Sequence, residues 1–106
     1  MMDSKLKNND IPSIEQIEDL TNLFKVLGDM TRAKILYTIE KVELCVSDIC
    51  NRVDMNKSAV SHQLKVLRDA HLVKARKLGK EVYYSLDDEH VSLIFRCALE
   101  HVNEKK

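Results

Sequence analysis

Two short clusters of metal-ligand side chains lie near the end of this 106-residue chain, Asp88 with His90 and His101 with Glu104. Imidazole nitrogen and carboxylate oxygen both donate well to a divalent ion, and within each cluster the two side chains are close enough to share one. Between the clusters, Val91, Ile94, Phe95, Ala98, Leu99 and Val102 recur at three- and four-residue spacings, the period of an amphipathic helix. Asp87 or Asp88 can cap its start.

The separation of the clusters carries the main inference. His90 and His101 are eleven residues apart. At about 100° and 1.5 Å per residue they point to nearly the same side of the helix but lie roughly 16 Å apart along it. Zinc ligands sit about 2 Å from the metal, so one straight helix cannot close a four-ligand site. Two copies packed antiparallel about a two-fold axis can, because the first cluster of one chain then faces the second cluster of the other. The predicted site is Asp88 and His90 of one chain with His101 and Glu104 of a second, formed twice per symmetric dimer. Four protein ligands leave no position for a substrate water, so such a site is regulatory or structural rather than catalytic. Acids and histidines at helix ends are also commonly mere caps or solvated surface, and the rest of the chain must decide between these readings.

The elements that would position the clusters read as one domain, residues 13–106, behind a polar arm over residues 1–12 that ends in the only proline, Pro12. Two glycines and one proline favour a mainly helical fold. No apolar run approaches membrane-spanning length and no signal-peptide pattern opens the chain. Cys45, Cys50 and Cys97 form no disulfide framework, which suits a reducing compartment, so a cytoplasmic location is expected.

Ser13 and Gln16 form a capping box, and Ile14, Ile17, Leu20, Leu23, Phe24 and Leu27 make the apolar stripe of a first helix that Gly28 ends. A second helix is predicted from Thr31 to Glu40, with Ile35, Leu36 and Ile39 inward and Arg32 and Lys34 outward. Val42 to Val46 is a short apolar approach to a third helix, Ser47 to Val53, with Ser47 as N-cap. After a turn at Asp54-Met55-Asn56, a fourth helix runs from Lys57 to Ala70 with Val60, Leu64 and Leu67 buried. Leu72 to Leu78 and Glu81 to Leu86, joined at Gly79-Lys80, read as a two-stranded hairpin.

A short helix, a tight turn and a longer helix make a helix-turn-helix, and a hairpin after it makes a wing. Formal net charge is zero, but Met55 to Lys80 carries seven basic residues against Asp69 alone, a +6 segment on a −6 body. That distribution, rather than the sum, points to nucleic acid. Asn56, Lys57, Ser58, Ser61, His62 and Gln63 are groups suited to base edges in a major groove, while Lys65 and Arg68 suit phosphates. Arg76, Lys77 and Lys80 near the hairpin tip suit the backbone or a minor groove.

Several blocks now resemble, in order, the ArsR/SmtB family of winged-helix metal-sensing repressors: Leu23 to Asp29 with Thr31-Arg32, Glu43 to Ile49, Ser58 to Leu64, Leu72-Val73 with Gly79, and Tyr84 to Asp88. The resemblance spans about residues 18–104. It implies a homodimer, joined through the first and last helices, that binds a palindromic operator without metal and releases it when metal binds. The family's last-helix site is matched by Asp88, His90, His101 and Glu104, a pattern that looks like a zinc or cobalt sensor. Its other common site, a Cys-Val-Cys-Asp pattern at the third helix, is only partly present in Cys45-Val46-Ser47-Asp48, with Cys50 nearby.

The expectation is therefore a repressor released from DNA by Zn(II), or by a similar ion such as Co(II), bound between the C-terminal helices. Two alternatives stand beside it: an arsenic or cadmium sensor acting through Cys45 and Cys50, and a constitutive DNA-binding module with structural zinc. Metal-assisted hydrolysis lacks a spare general base or pocket motif, so no enzyme and no small organic substrate are expected. His101 could donate its second ring nitrogen to backbone near Ala70 or His71, and Cys97 is expected to be buried on the apolar side of the last helix.

Overall fold

The computed structural model describes residues 11–106. The arm expected over residues 1–12 lies, as far as residue 10, outside them. The first helix, α1, runs Ile14–Leu27 and opens with the predicted capping box: Gln16 N donates to Ser13 Oγ at 3.1 Å and Ser13 N donates to Gln16 Oε1 at 2.9 Å. At its other end Gly28 N donates to Phe24 O at 2.8 Å and to Lys25 O at 3.2 Å. Gly28 holds a φ of −82° rather than a left-handed value.

The second helix, α2, is Met30–Thr38, capped by Asp29, whose carboxylate accepts from Arg32 N at 3.0 Å. Ile35, Leu36 and Ile39 face inward as their spacing requires. Next, Leu44–Cys45 forms a two-residue strand, β1, which leads directly into α3 (Val46–Val53). The expected N-cap Ser47 instead sits inside the first turn of α3. Cys45 is the capping residue, and it makes no side-chain cap bond. The reason is tertiary, since pairing holds Cys45 in extended backbone and the helix begins at the next residue.

Asp54, in the left-handed region at φ 56°, closes α3, and Asn56 opens α4 (Lys57–Asp69) by accepting from Ala59 N at 2.8 Å. The hairpin is β2 (Val73–Leu78) and β3 (Glu81–Leu86), turning at Gly79, where a φ of +66° suits the one residue without a Cβ. The sheet has three strands in the order β1-β3-β2, not two, because Leu44 and Cys45 pair antiparallel with Tyr84 and Tyr83. The last helix, α5 (Glu89–Glu104), is capped by Asp88.

One core joins these pieces. Ile35 and Leu36 from α2 with its C-cap Ile39, Ile49 from α3 and Val60, Leu64 and Leu67 from α4 pack with Leu72, Val73, Leu86 and Val91. Burying a side chain of this size stabilises by roughly 1.5–3 kcal/mol, so α4 is held chiefly by its apolar face. The start of α5 is docked on the segment just after α2 by polar groups as well: Ser92 Oγ donates to Glu40 Oε2 at 2.6 Å and Arg96 Nη2 donates to Ser92 Oγ at 3.0 Å.

The two terminal helices are the exception to this burial. No residue of α1 is buried, and α5 buries only Val91. Ile14, Ile17, Leu20 and Phe24 on α1, with Leu93, Leu99 and Val102 on α5, are all at least 45% exposed. Cys97, expected to be buried, is exposed as well, because nothing within the single chain covers that part of α5.

Candidate operator interface and metal centre

The turn between α3 and α4 sets α4 with Val60, Leu64 and Leu67 against the core and Lys57, Ser58, Ser61, His62, Lys65 and Arg68 exposed. Asn56 is exposed too, although its side-chain oxygen is occupied by the cap. Hydroxyl, imidazole and ammonium groups thus stand on one continuous outward surface, which is the geometry that a groove-reading helix requires. Lys65 shares a 3.3 Å ion pair with Asp69, both side chains well exposed, and such a pair is easily given up to a phosphate.

Two of the predicted DNA-facing residues are engaged elsewhere. Gln63 is half-buried, and its Oε1 accepts from Arg32 Nη1 at 3.2 Å. It lies about 100° around α4 from His62 and about 140° from Ser58, on the flank rather than the outward surface. Arg76 is held by Glu43, with Nη2 to Oε1 at 2.6 Å and Nε to Oε2 at 3.1 Å. Glu43 sits just before β1, and the hydrogen bonds from Arg76 hold its carboxyl below the ordinary glutamate range against partial desolvation, helped by the charges of Arg76 and Lys74. Lys77 and Lys80 are exposed at the hairpin end.

A cleft of about 640 Å³ separates α4 from the hairpin, lined by Ser61, Lys65, Arg68, His71 and Lys74 among others. His71 and Lys74 were not among the predicted interface residues. Lys74 had a signal in the basic run. His71 had none, since it reaches the cleft by taking a left-handed turn at φ 60°, a conformation uncommon outside glycine.

At the start of α5, Asp88 Oδ1 accepts from His90 N at 2.8 Å and Val91 N at 3.4 Å, and lies 3.4 Å from His90 Nδ1. Partial desolvation pushes the Asp88 carboxyl up, but these hydrogen bonds outweigh it and leave the group lowered, ready to act as an anion. His101 and Glu104 are exposed on the last turns of the same helix. Among the described residues no three His, Cys, Asp or Glu side chains converge on one point. A single chain therefore closes no ligand set: Asp88 and His90 stand together at the start of α5, and His101 and Glu104 lie on its last turns. All four donors are exposed and carry oxygen or nitrogen, the donor chemistry that suits a borderline divalent ion such as zinc. His101 makes no hydrogen bond to Ala70 or His71. Cys45, buried at the start of α3, donates its S–H to Asp48 Oδ2 at 3.4 Å.

Helix-turn-helix, basic hairpin and outward polar helix together define a winged helix-turn-helix DNA-binding protein. Comparison with known proteins agrees. The family of bacterial regulatory proteins named arsR matches residues 29–75. A transcriptional repressor SmtB homolog from Synechocystis sp. is 38% identical over 95 residues, covering 90% of this chain and 72% of that protein. A cadmium resistance transcriptional regulatory protein CadC homolog from Staphylococcus aureus is 44% identical over 87 residues, covering 81% and 72%. A homodimeric winged helix-turn-helix DNA-binding domain from Mycobacterium bovis superposes with a TM-score of 0.81 at 24% identity, covering 97% of this chain and 92% of that one. This chain belongs to the arsR family and is a DNA-binding transcriptional regulator rather than an enzyme.

Proposed function

We propose that the protein is a metal-responsive repressor. As a metal-free homodimer it binds a palindromic operator, and it leaves that operator when Zn(II) or a similar divalent ion is held by Asp88 and His90 of one chain and His101 and Glu104 of the other. The observation that carries this reading is the arrangement of α5, where two half-sets of nitrogen and oxygen donors flank an apolar face that the single chain leaves exposed. An antiparallel pair of α5 helices covers that face and completes both ligand sets in one step. The exposed face of α1 extends the same dimer surface.

A divalent ion held there would supply a crosslink between the two α5 helices. The chain's own residues make that crosslink matter to DNA. Ser92 and Arg96 join α5 to Glu40, two residues past the end of α2, and α2 packs through Ile35 and Leu36, with its C-cap Ile39, on the core that carries α4. A change in the angle between two α5 helices is passed on to both recognition helices, which half-sites one turn apart require to be roughly 34 Å from each other. Misplacing both by a few ångströms loses the base contacts of both.

Among the described residues no helix is long and apolar enough to cross a membrane. With operator DNA as its ligand, the protein works in the cytoplasm.

The test is binding of a fluorescent palindromic operator, taken from upstream of the protein's own gene, with and without zinc at fixed salt. A large loss of affinity with zinc that disappears in His90→Ala or His101→Ala supports the proposal. The CadC-like relative carries cadmium in its name, so cadmium and arsenite are assayed in parallel. A loss seen only with those ions and dependent on Cys45 moves the sensor to α3, and zinc that strengthens DNA binding makes the metal structural.

A further inference from the structure

Arg32 stands where three elements meet. Its Nε donates to Val26 O at 2.7 Å and its Nη2 to Lys25 O at 3.4 Å, two carbonyls of the last turn of α1. Its own backbone N–H is fixed by the N-cap Asp29 in the first turn of α2. Its Nη1 donates to Gln63 Oε1 in α4 at 3.2 Å, across 31 residues of sequence. Among the described residues this is the only side-chain hydrogen bond that leaves α4 for another element.

The rest of the hold on α4 is apolar, through Val60, Leu64 and Leu67. Apolar burial resists pulling a helix away from the core, but it is non-directional and sets rotation and slide only weakly. A guanidinium fork is directional and planar, with donors pointing three ways at once.

We infer that Arg32 is a positioning residue for operator recognition: it fastens the end of α1 to Gln63, so that the rotation of α4 about its axis follows α1. Gln63 is then the point of attachment, not a base reader. The inference rests on the proposed operator binding, and it gives the exposed helix α1 a direct line to the recognition helix that does not pass through α5 or any metal.

The experiment uses the full-length, metal-free protein and compares Arg32→Ala, Arg32→Lys, Gln63→Ala and the Arg32→Ala/Gln63→Ala double variant on fluorescent operator DNA over a range of salt. Each alanine variant is expected to lose about tenfold in affinity, the scale of one charge-assisted hydrogen bond. The double variant should be no worse than either single one. Arg32→Lys keeps the charge without the fork and should not rescue binding. The slope of affinity against salt should stay as in the wild type, because no phosphate contact is removed.

Additive losses overturn the inference. So does a fall of about one in the salt slope of Arg32→Ala, which would make Arg32 a phosphate contact, and so does full rescue by lysine. If the wild type itself binds no DNA, the operator reading fails on its own. The tie is then judged by the same cycle of variants in thermal unfolding, where strict additivity overturns it.

Discussion

Arg76 on β2 and Glu43 before β1 meet in a two-pronged ion pair, at 2.6 and 3.1 Å, that reaches across the central strand β3. The hairpin is thereby fastened to the segment between α2 and α3, and a cation at the middle of the wing is neutralised. Removing Glu43 releases that cation. In Glu43→Gln, binding to non-operator DNA is expected to strengthen, with the slope of log affinity against log salt steeper by about 0.9 for one added phosphate contact. An unchanged slope would mean that Arg76 does not face DNA even when free.

The same pair gives a pH dependence of known sign. Glu43 titrates below its ordinary value of 4.5 because it accepts from Arg76. Its contribution to stability is therefore present above that value and is lost as pH falls through the lower folded value. Thermal unfolding followed from pH 6 downward should show a loss below about pH 4.5 that is smaller in Glu43→Gln than in the wild type. The pair is solvent-accessible, so the difference should shrink in high salt.

Asp88 is the N-cap of α5 and, in the proposed function, a zinc ligand, and substitution can separate the two. As N-cap it satisfies His90 N and Val91 N, and losing a cap costs about 0.5–2 kcal/mol. Asp88→Asn keeps the capping oxygen and removes the charge, whereas Asp88→Ala removes both. Denaturant unfolding should place the asparagine variant near the wild type and the alanine variant below it. In zinc titrations both should bind weakly, and an asparagine variant with wild-type zinc affinity would show that this carboxylate is only a cap.

The exposed apolar faces of α1 and α5 predict where the dimer breaks. Phe24 is 56% exposed and Leu99 45% exposed in the single chain, so Phe24→Glu and Leu99→Glu leave the core intact while placing a charge in the seam. Sedimentation should find these variants monomeric with nearly unchanged circular dichroism, and operator binding should fall with the loss of the dimer. Persistence of a dimer in both would move the interface elsewhere.

By contrast, Leu64→Ala removes a fully buried side chain of the core cluster that also holds Ile35, Leu36 and Ile49. A loss of about 2–5 kcal/mol in unfolding free energy is expected. Ser61→Ala, one turn away on the outward surface, should alter stability by no more than about 0.5 kcal/mol yet weaken operator binding, a contrast measured by comparing unfolding and binding on the same two proteins.

What could be read from the sequence alone was whatever has a local cause. The stripes of α1, α4 and α5 follow from a 3.6-residue period, the start of α1 from Ser13 with Gln16, the start of α4 from the turn at Asp54-Met55-Asn56, and the hairpin turn from Gly79, and each lies where its pattern put it. The spacing of Asp88, His90, His101 and Glu104 on one helix likewise already implied that a single chain cannot bring all four to one point. Tertiary structure decided the rest. A two-residue strand at Leu44–Cys45 has no period to detect, and only its pairing with Tyr84 and Tyr83 makes it a strand and displaces Ser47 as a cap. Arg32 and Arg76, which look from their own surroundings like outward cations, are claimed by Gln63 and Glu43, 31 and 33 residues away. An ion pair or a charged hydrogen bond forms wherever folding brings partners within about 3 Å, and nothing in the neighbouring residues of the chain encodes that meeting.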